Sequence, residues 1–93
     1  MDYNLENTFS KSAKLVLNLK KSPSNSEKLE LYGLYKQAKF GDNNTTKPRL
    51  LDYRNRQKWS AWDSKKKLTK SNAMTQYVEL SIKLIGKYGL NKD

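Results

Sequence analysis

The apolar residues of this chain recur every three to four positions, a spacing that predicts helices and shows no strand pattern. In the opening stretch, five of them share one helical face: Leu5, Phe9, Ala13, Val16 and Leu19. They predict a first helix from Leu5 to about Leu19, with Asn4 as its N-cap. Leu17 falls at the margin of this apolar face rather than within it.

The ends of the second helix are marked by residues that commonly cap helices. Ser24 followed by Glu27 has the form of a capping box, and Gly41 supplies a C-cap. The loop before this helix is short, so the first two helices should lie antiparallel. The loop after Gly41 is about a dozen residues long, which permits the third helix to run parallel to the second.

Two further helices complete the chain. Asp52 is expected to cap a third helix that reaches about Lys66, and Thr69 a fourth that reaches about Tyr88. The fourth helix carries apolar residues over a broad arc, which indicates contact with two neighbouring helices. Trp59 and Trp62 share a face of the third helix and are expected to pack against other helices. The chain is therefore predicted to be one all-α, four-helix domain spanning residues 1–93.

The face of the second helix opposite its core lacks the composition expected of a solvent-exposed surface. Its core face is made of three apolar residues: Leu31, Leu34 and Ala38. The opposite face presents Leu29, Tyr32 and Lys36, where a surface helix normally carries only charged and polar residues. A tyrosine ring one turn from a lysine suits a planar base that bears phosphate. A simpler interpretation also fits, in which the tyrosines pack against neighbouring helices and Lys36 is solvated.

The composition of the chain excludes several kinds of functional site and indicates the charge of its partner. The chain has 93 residues, enough for one small domain, and contains neither cysteine nor histidine. Thiol nucleophiles, disulfides, zinc–thiolate sites and the usual acid–base side chain are thereby excluded. Nineteen Lys and Arg against nine Asp and Glu give a formal net charge of +10, which indicates an anionic partner. Nucleic acid, an acidic membrane surface and a phosphorylated small molecule all satisfy that charge.

A distinctive set of motifs runs along the chain. LYGLYKQAKFGD occupies positions 31–42, Pro48 and Asp52 follow, KWSAW occupies positions 58–62, and Ala73 and Tyr77 lie in the fourth helix. Together they closely resemble the acyl-CoA-binding protein family. The match extends without evident insertion from Phe9 to the YGL run at 88–90, which is nearly the whole chain.

The resemblance implies a fold, a ligand and a site. The fold is a four-helix bundle with a long overhand loop between helices 2 and 3. The function is noncovalent, one-to-one binding of long-chain fatty acyl-CoA, so that the thioester is held in solution and handed on. Five residues are expected to recognise the adenine and ribose phosphate: Tyr32, Tyr35, Lys36, Lys58 and Tyr77. Five positions are expected along the acyl groove: Ala13, Leu17, Leu29, Gly33 and Leu34.

Leu17 departs from the family's pattern. Members of the resembled family commonly carry a lysine at this position that helps to hold the phosphates, and the charge is missing here. Lys14, Lys20 or Lys21, one turn away on either side, could take its place. The sequence leaves open whether any of them reaches the ligand.

Partners and location follow as expectations. The first ten residues lack a secretory signal, and no apolar run is long enough to cross a bilayer, so we expect a cytoplasmic protein. We also expect it to be a monomer and to need no cofactor. Acyl-CoA-using enzymes and an anionic membrane surface are expected as transient partners. The alternative is a small RNA- or single-stranded-nucleic-acid-binding module, which the charge and the tyrosines favour. An enzyme that hydrolyses the thioester has no credible nucleophile–base pair in this chain.

Overall fold

The computed structural model describes residues 2–91, with side chains from position 4 onward. Four α-helices make up most of this range: α1 (Asp2–Leu15), α2 (Asn25–Phe40), α3 (Tyr53–Asp63) and α4 (Lys70–Tyr88). A short 3-10 helix, Val16–Asn18, follows α1 directly. Apart from one isolated bridge between Leu19 and Leu90, the described residues contain no β-structure. The all-α class and the long loop between the second and third helices are confirmed.

The predicted caps of α2 and α4 are confirmed. The Ser24 hydroxyl accepts the Glu27 N–H at 3.2 Å, and the Glu27 carboxylate accepts the Ser24 N–H at 2.8 Å, which completes the capping box. Gly41 ends α2 with a φ of 79°, which glycine adopts without steric cost. The Thr69 hydroxyl accepts the Asn72 N–H at 3.0 Å and so caps α4. These local signals specify where α2 begins and ends and where α4 begins.

The two other predicted N-caps do not act as expected. α1 begins at Asp2, so Asn4 lies inside the helix, where its backbone carbonyl accepts the Thr8 hydroxyl at 2.8 Å. Asp52 does precede α3, but its carboxylate accepts the Asn55 side-chain amide at 2.9 Å instead of a backbone N–H. The N-cap assignment of Asn4 is therefore wrong, and Asp52 stabilises the first turn of α3 through a side chain.

The first helix ends at Leu15, four positions earlier than Leu19, the predicted end. The reason is a contact with the far end of the chain. The Lys20 N–H donates to the Gly89 carbonyl at 2.8 Å, which draws the backbone after the 3-10 helix into an extended conformation. A helix that continued through this segment could not make that long-range bond.

The third helix ends at Asp63 rather than near Lys66. The Asp42 carboxylate accepts the Lys67 N–H at 2.8 Å and the side-chain amide of the buried Gln37 at 2.8 Å. These two hydrogen bonds lower the pKa of Asp42 and hold Lys67 at a φ of 78°, which no helix allows. The turn that separates α3 from α4 is thus set by Asp42, in the loop that follows α2.

α2 and α4 lie at the centre of the packing. α4 packs against both α1 and α2, as its broad apolar arc predicts, and α3 packs against α2 alone among the described helices. The backbones of α1 and α2 make no direct contact, but the rings of Phe9 and Tyr35 stack at 5.5 Å. Five buried residues form the main core: Phe9, Leu34, Ala38, Ala73 and Tyr77. Because α3 touches a single neighbour, one of its sides is left open beside α2.

A close backbone approach sets the position of α3. A Cβ atom built on Gly33 of α2 would lie 2.4 Å from the carbonyl oxygen of Ala61 in α3. Only glycine leaves room for this approach.

The tryptophans of α3 hold the loop between α2 and α3 in place through their indole N–H groups. Trp62 is buried, and its indole N–H donates to the Gly41 carbonyl at 2.8 Å, while that of Trp59 donates to the Thr45 carbonyl at 3.0 Å.

One carboxylate joins the start of α2 to the end of α4. The Glu27 carboxylate accepts the Tyr88 hydroxyl at 2.6 Å and the Lys87 ammonium at 2.9 Å, in addition to the Ser24 N–H. These bonds, above all that from Tyr88, lower the pKa of Glu27 to about 2 from its usual 4.5. Because the folded pKa is depressed, the stabilisation is present above pH 4.5 and is lost as the pH falls towards 2.

Glu27→Gln should therefore lower the melting temperature at neutral pH. As the pH falls from 4.5 towards 2, the wild type should lose the same contribution, so that the two melting curves converge. Thermal unfolding followed by circular dichroism across this range measures the effect. Glu79→Gln, at an exposed position of α4, is the matched control and should leave the melting temperature nearly unchanged. A Glu27→Gln deficit that is the same size at every pH would contradict the assignment.

Candidate functional site

A long groove runs between α2 and α3 on the side that no other described helix covers. One part has a volume of about 590 Å³ and the adjoining part about 580 Å³. Three residues line both parts: Leu29, Tyr53 and Gln57. The first part is completed by Ser26, Glu30, Arg56, Ser60 and Ala61. The second part is completed by Asn25, Lys28, Tyr32, Arg54 and Lys58.

Apart from Lys58, the α3 wall of this groove was not predicted as a site. Tyr53, Gln57 and Ala61 recur every four residues and so share one face of α3. The spacing is visible in the sequence, but nothing in it tells which neighbour that face meets. The Gly33–Ala61 approach supplies the answer, because it turns this face of α3 towards α2.

Two lysines from different helices meet the same tyrosine ring at one end of the groove. The ammonium of Lys58, from α3, lies 5.4 Å from the centroid of the Tyr32 ring, and that of Lys36, from α2, lies 5.8 Å from it. Each distance is within the range of a cation–π contact. The structure therefore places two positive charges around one flat aromatic surface at one end of the groove.

Lys36 is also held by two further aromatic rings. Its ammonium lies 4.7 Å from the centroid of Phe40 and 5.1 Å from that of Trp62. Those two rings pack against each other with centroids 6.2 Å apart. Phe40 is 59% exposed and was not among the predicted site residues. Its position one turn after Lys36 was the available signal.

Tyr35 and Tyr77 belong to a separate aromatic cluster with Phe9 of α1. The Phe9 ring lies 5.1 Å from that of Tyr77, and the Tyr35 ring lies 6.0 Å from it. Tyr35 keeps 36% of its surface exposed, whereas Tyr77 keeps 5%. Burial, and to a lesser degree Tyr35, raise the pKa of Tyr77 to about 12. Tyr77 is thus a core residue that is almost fully buried.

The groove is suited to binding an elongated anion. Leu29, Tyr53 and Ala61 offer apolar surface along its length, and the lysines offer charge at one end. Among residues 2–91, no cluster of acidic side chains has the arrangement of a metal site. No helix in the same part of the chain is long and apolar enough to span a bilayer.

A sequence model of the family described as "Acyl CoA binding protein" matches residues 6–81. The chain belongs to the acyl-CoA-binding protein family. Acyl-CoA-binding protein homolog 1 of Caenorhabditis elegans is 51% identical over 82 residues, covering 88% of this chain and 95% of that protein. The acyl-CoA-binding protein homolog of Drosophila melanogaster is 42% identical over 80 residues, covering 86% of this chain and 93% of that protein.

Solved structures of acyl-CoA-binding proteins show the same fold. The crystal structure of Oryza sativa Acyl-CoA-Binding Protein 2 matches with a TM-score of 0.90 and 34% identity, covering 92% of this chain and 94% of that one. The crystal structure of ACBP from Moniliophthora perniciosa matches with a TM-score of 0.83 and 32% identity, covering 89% and 82% of the two chains. The predicted resemblance and four-helix architecture are confirmed.

Within this structure, the predicted groove residues fall in different places. Leu29 lines the groove between α2 and α3. Gly33 is buried against Ala61, and Leu34, which is 2% exposed, belongs to the core, so neither presents a surface to that groove. Helix packing occupies both positions, and their part in an acyl groove stays a prediction.

The two predicted groove positions before α2, Ala13 in α1 and Leu17 in the 3-10 helix, also lie elsewhere. Ala13 packs against the core cluster that contains Phe9, and Leu17 is 86% exposed in the 3-10 helix. α1 makes no backbone contact with α2 or α3 in the described structure. Ala13 and Leu17 therefore do not line the groove between α2 and α3, although both lie on the same helical segment as the Phe9 ring that stacks on Tyr35.

Proposed function

We propose that this protein binds long-chain fatty acyl-CoA noncovalently, one ligand per chain, and serves as a carrier that keeps the thioester in solution. Membership of the family supports the ligand class. The observation that carries the assignment is the groove between α2 and α3, which ends at the Tyr32 ring between Lys36 and Lys58. An apolar channel that ends in paired cations matches a ligand with an alkyl chain and a phosphorylated head.

The two ends of the groove have different tasks in this proposal. The acyl chain lies along Leu29, Tyr53 and Ala61, where each buried CH₂ contributes roughly 0.8 kcal/mol. The ribose phosphate lies between Lys36 and Lys58, where a charge-assisted hydrogen bond contributes about 1.5–3 kcal/mol. The acyl chain of the ligand accordingly supplies most of the affinity, and the head-group site selects CoA esters over other lipids.

Calorimetric titration with acyl-CoAs of graded length tests this proposal. Affinity should rise by roughly 0.8 kcal/mol per CH₂ until the groove is filled and then level off, with a stoichiometry of one. Free CoA should bind weakly because it lacks the chain, and free fatty acid should bind poorly because it lacks the nucleotide. Equal affinity for a fatty acid and its CoA ester would contradict the assignment of the lysine end to the nucleotide.

Tyr35 and Tyr77 complete the nucleotide site in the proposal. Tyr35 is partly exposed beside α1 and Tyr77 is almost fully buried, so Tyr35 is the better surface for the adenine to contact. Their role as ligand contacts stays a prediction.

We infer further that the protein performs no chemistry on the thioester and acts as a cytoplasmic monomer that passes its ligand to acyl-CoA-using enzymes. The absence of cysteine and histidine from the sequence supports the first point. Incubation with acyl-CoA should release no free CoA, and size-exclusion chromatography should give the mass of one chain. Neither the family nor the relatives support the nucleic-acid-binding alternative.

A further inference from the structure

The loop before α3 ends in a tight turn whose tip carries two leucines. The Asp52 N–H donates to the Arg49 carbonyl at 3.0 Å, which closes a turn with Leu50 and Leu51 at its central positions. These two residues are 70% and 77% exposed. Central positions of turns usually carry Gly, Pro, Asn, Asp or Ser. Two adjacent leucines at the tip leave apolar surface in water and contribute little to the core.

Two side-chain hydrogen bonds from α3 hold this turn in place. The Arg56 guanidinium donates to the Pro48 carbonyl at 3.0 Å, and the Asn55 side-chain amide donates to the Asp52 carboxylate at 2.9 Å. Both donors come from the first turn of α3 and hold the two sides of the leucine turn. The leucines are therefore presented by hydrogen-bonded structure, and their exposure is a property of the fold.

The surroundings of the turn are strongly basic. Residues 43–62 contain five Lys or Arg and a single acidic residue, Asp52. Arg49, within the turn, and Arg54, in the first turn of α3, are both exposed. Exposed apolar residues flanked by cations in this way are complementary to an anionic surface with an apolar layer beneath it.

The turn also adjoins the groove. Tyr53, which directly follows the turn, is 70% exposed and lines both parts of the groove. Arg54 and Lys28 line the part that leads to the Tyr32 ring. A surface that contacts the leucine turn would consequently lie beside the groove.

We propose that the turn at 49–52 docks this protein on anionic phospholipid membranes, with Leu50 and Leu51 inserted among the head groups and Arg49 and Arg54 against lipid phosphates. A two-residue convex tip offers far less than the roughly 800 Å² per partner of a standard protein interface. The strength of interfacial membrane binding, in contrast, scales with the apolar area inserted plus the attraction of basic residues to anionic lipids, so a small tip can support reversible binding. Docking beside the groove would also help to load the ligand from the membrane, and this role rests on the proposed function. The docking itself does not rest on it.

Vesicle co-sedimentation of the ligand-free protein tests the docking. Binding should be measurable with phosphatidylcholine vesicles that contain phosphatidylserine, weak with phosphatidylcholine alone, and weaker as salt is raised. The double change Leu50→Ser and Leu51→Ser should reduce binding about tenfold or more, since the tip loses most of its apolar surface. Arg49→Gln should reduce it about fivefold. Ile82→Ser, at a residue 64% exposed on α4, is the matched control and should bind as the wild type does.

A fluorescent label locates the contact. Because the chain has no cysteine, Leu51→Cys and Ile82→Cys each provide a single attachment point for an environment-sensitive dye. Vesicles with phosphatidylserine should shift the emission of the dye at position 51 to the blue and leave that at position 82 unchanged. Equal shifts at both positions, or none at either, would overturn the proposal; the latter is also the result expected if the turn served a protein partner.

Acyl-CoA titration without vesicles separates this inference from the proposed function. The double leucine variant should bind acyl-CoA with wild-type affinity, since neither leucine lines the groove. If that variant binds acyl-CoA normally yet binds vesicles as well as the wild type does, only the docking surface is refuted. If the wild type binds vesicles but no acyl-CoA, the docking stands and the proposed function fails.

Discussion

Replacing Gly33 with alanine is expected to destabilise this protein by about 1–2 kcal/mol, although alanine is the better helix former. The added Cβ would lie 2.4 Å from the Ala61 carbonyl oxygen and 2.9 Å from its carbonyl carbon, which are backbone atoms that cannot rotate away. α3 must shift away from α2, and the shift displaces Tyr53 and Lys58 at the groove. We expect a melting temperature lower by about 5–10 °C and a clear loss of acyl-CoA affinity.

Gly86 provides the matched control for this substitution. It lies inside α4, and a Cβ built on it has no other atom within 4 Å. Gly86→Ala should therefore stabilise the protein by about 0.5–1 kcal/mol and leave ligand affinity unchanged. Urea unfolding and calorimetric titration of both variants make the comparison. If Gly33→Ala stabilises the protein as much as Gly86→Ala does, the close approach of α2 and α3 does not set the groove.

Removing either lysine at the Tyr32 ring should weaken acyl-CoA binding by about 1.5–3 kcal/mol. A phosphate monoester is strongly hydrated, and two ammonium groups that converge from α2 and α3 replace that hydration better than one. Because both act on one group, the double variant Lys36→Ala with Lys58→Ala should lose less than the sum of the single losses. Isothermal titration calorimetry with a long-chain acyl-CoA measures all three variants.

Acyl-dephospho-CoA identifies the group that the lysines hold. It lacks the 3′-phosphate and should bind the wild type weakly while being nearly insensitive to both lysine substitutions. Lys83→Ala, on α4, removes the same charge away from α3 and should leave both ligands unaffected. Equal losses for the two ligands in the Lys36 and Lys58 variants would mean that the lysines act through general charge or through packing, and the proposed phosphate site would be misplaced.

Local signals in the sequence were sufficient for the class of fold and for one side of the site. Ser24 and Thr69 cap their helices because each hydroxyl reaches a backbone N–H three residues later. Tyr32 and Lys36 share a face of α2 because four residues make about one helical turn. Interactions of this range depend only on neighbouring residues, so they can be identified without knowing where the rest of the chain lies.

The sequence by itself thus determined four helices, most of their ends, and the Tyr32–Lys36 face, whereas the tertiary structure decided the rest of the site. Gly33 looks like any glycine in a helix until Ala61 is placed against it. The groove wall formed by Tyr53, Gln57 and Ala61 has no recognisable partner until that contact turns it towards α2. Contacts between residues far apart in sequence depend on the packing of whole helices, and periodicity along one helix shows which residues share a face but not what that face meets.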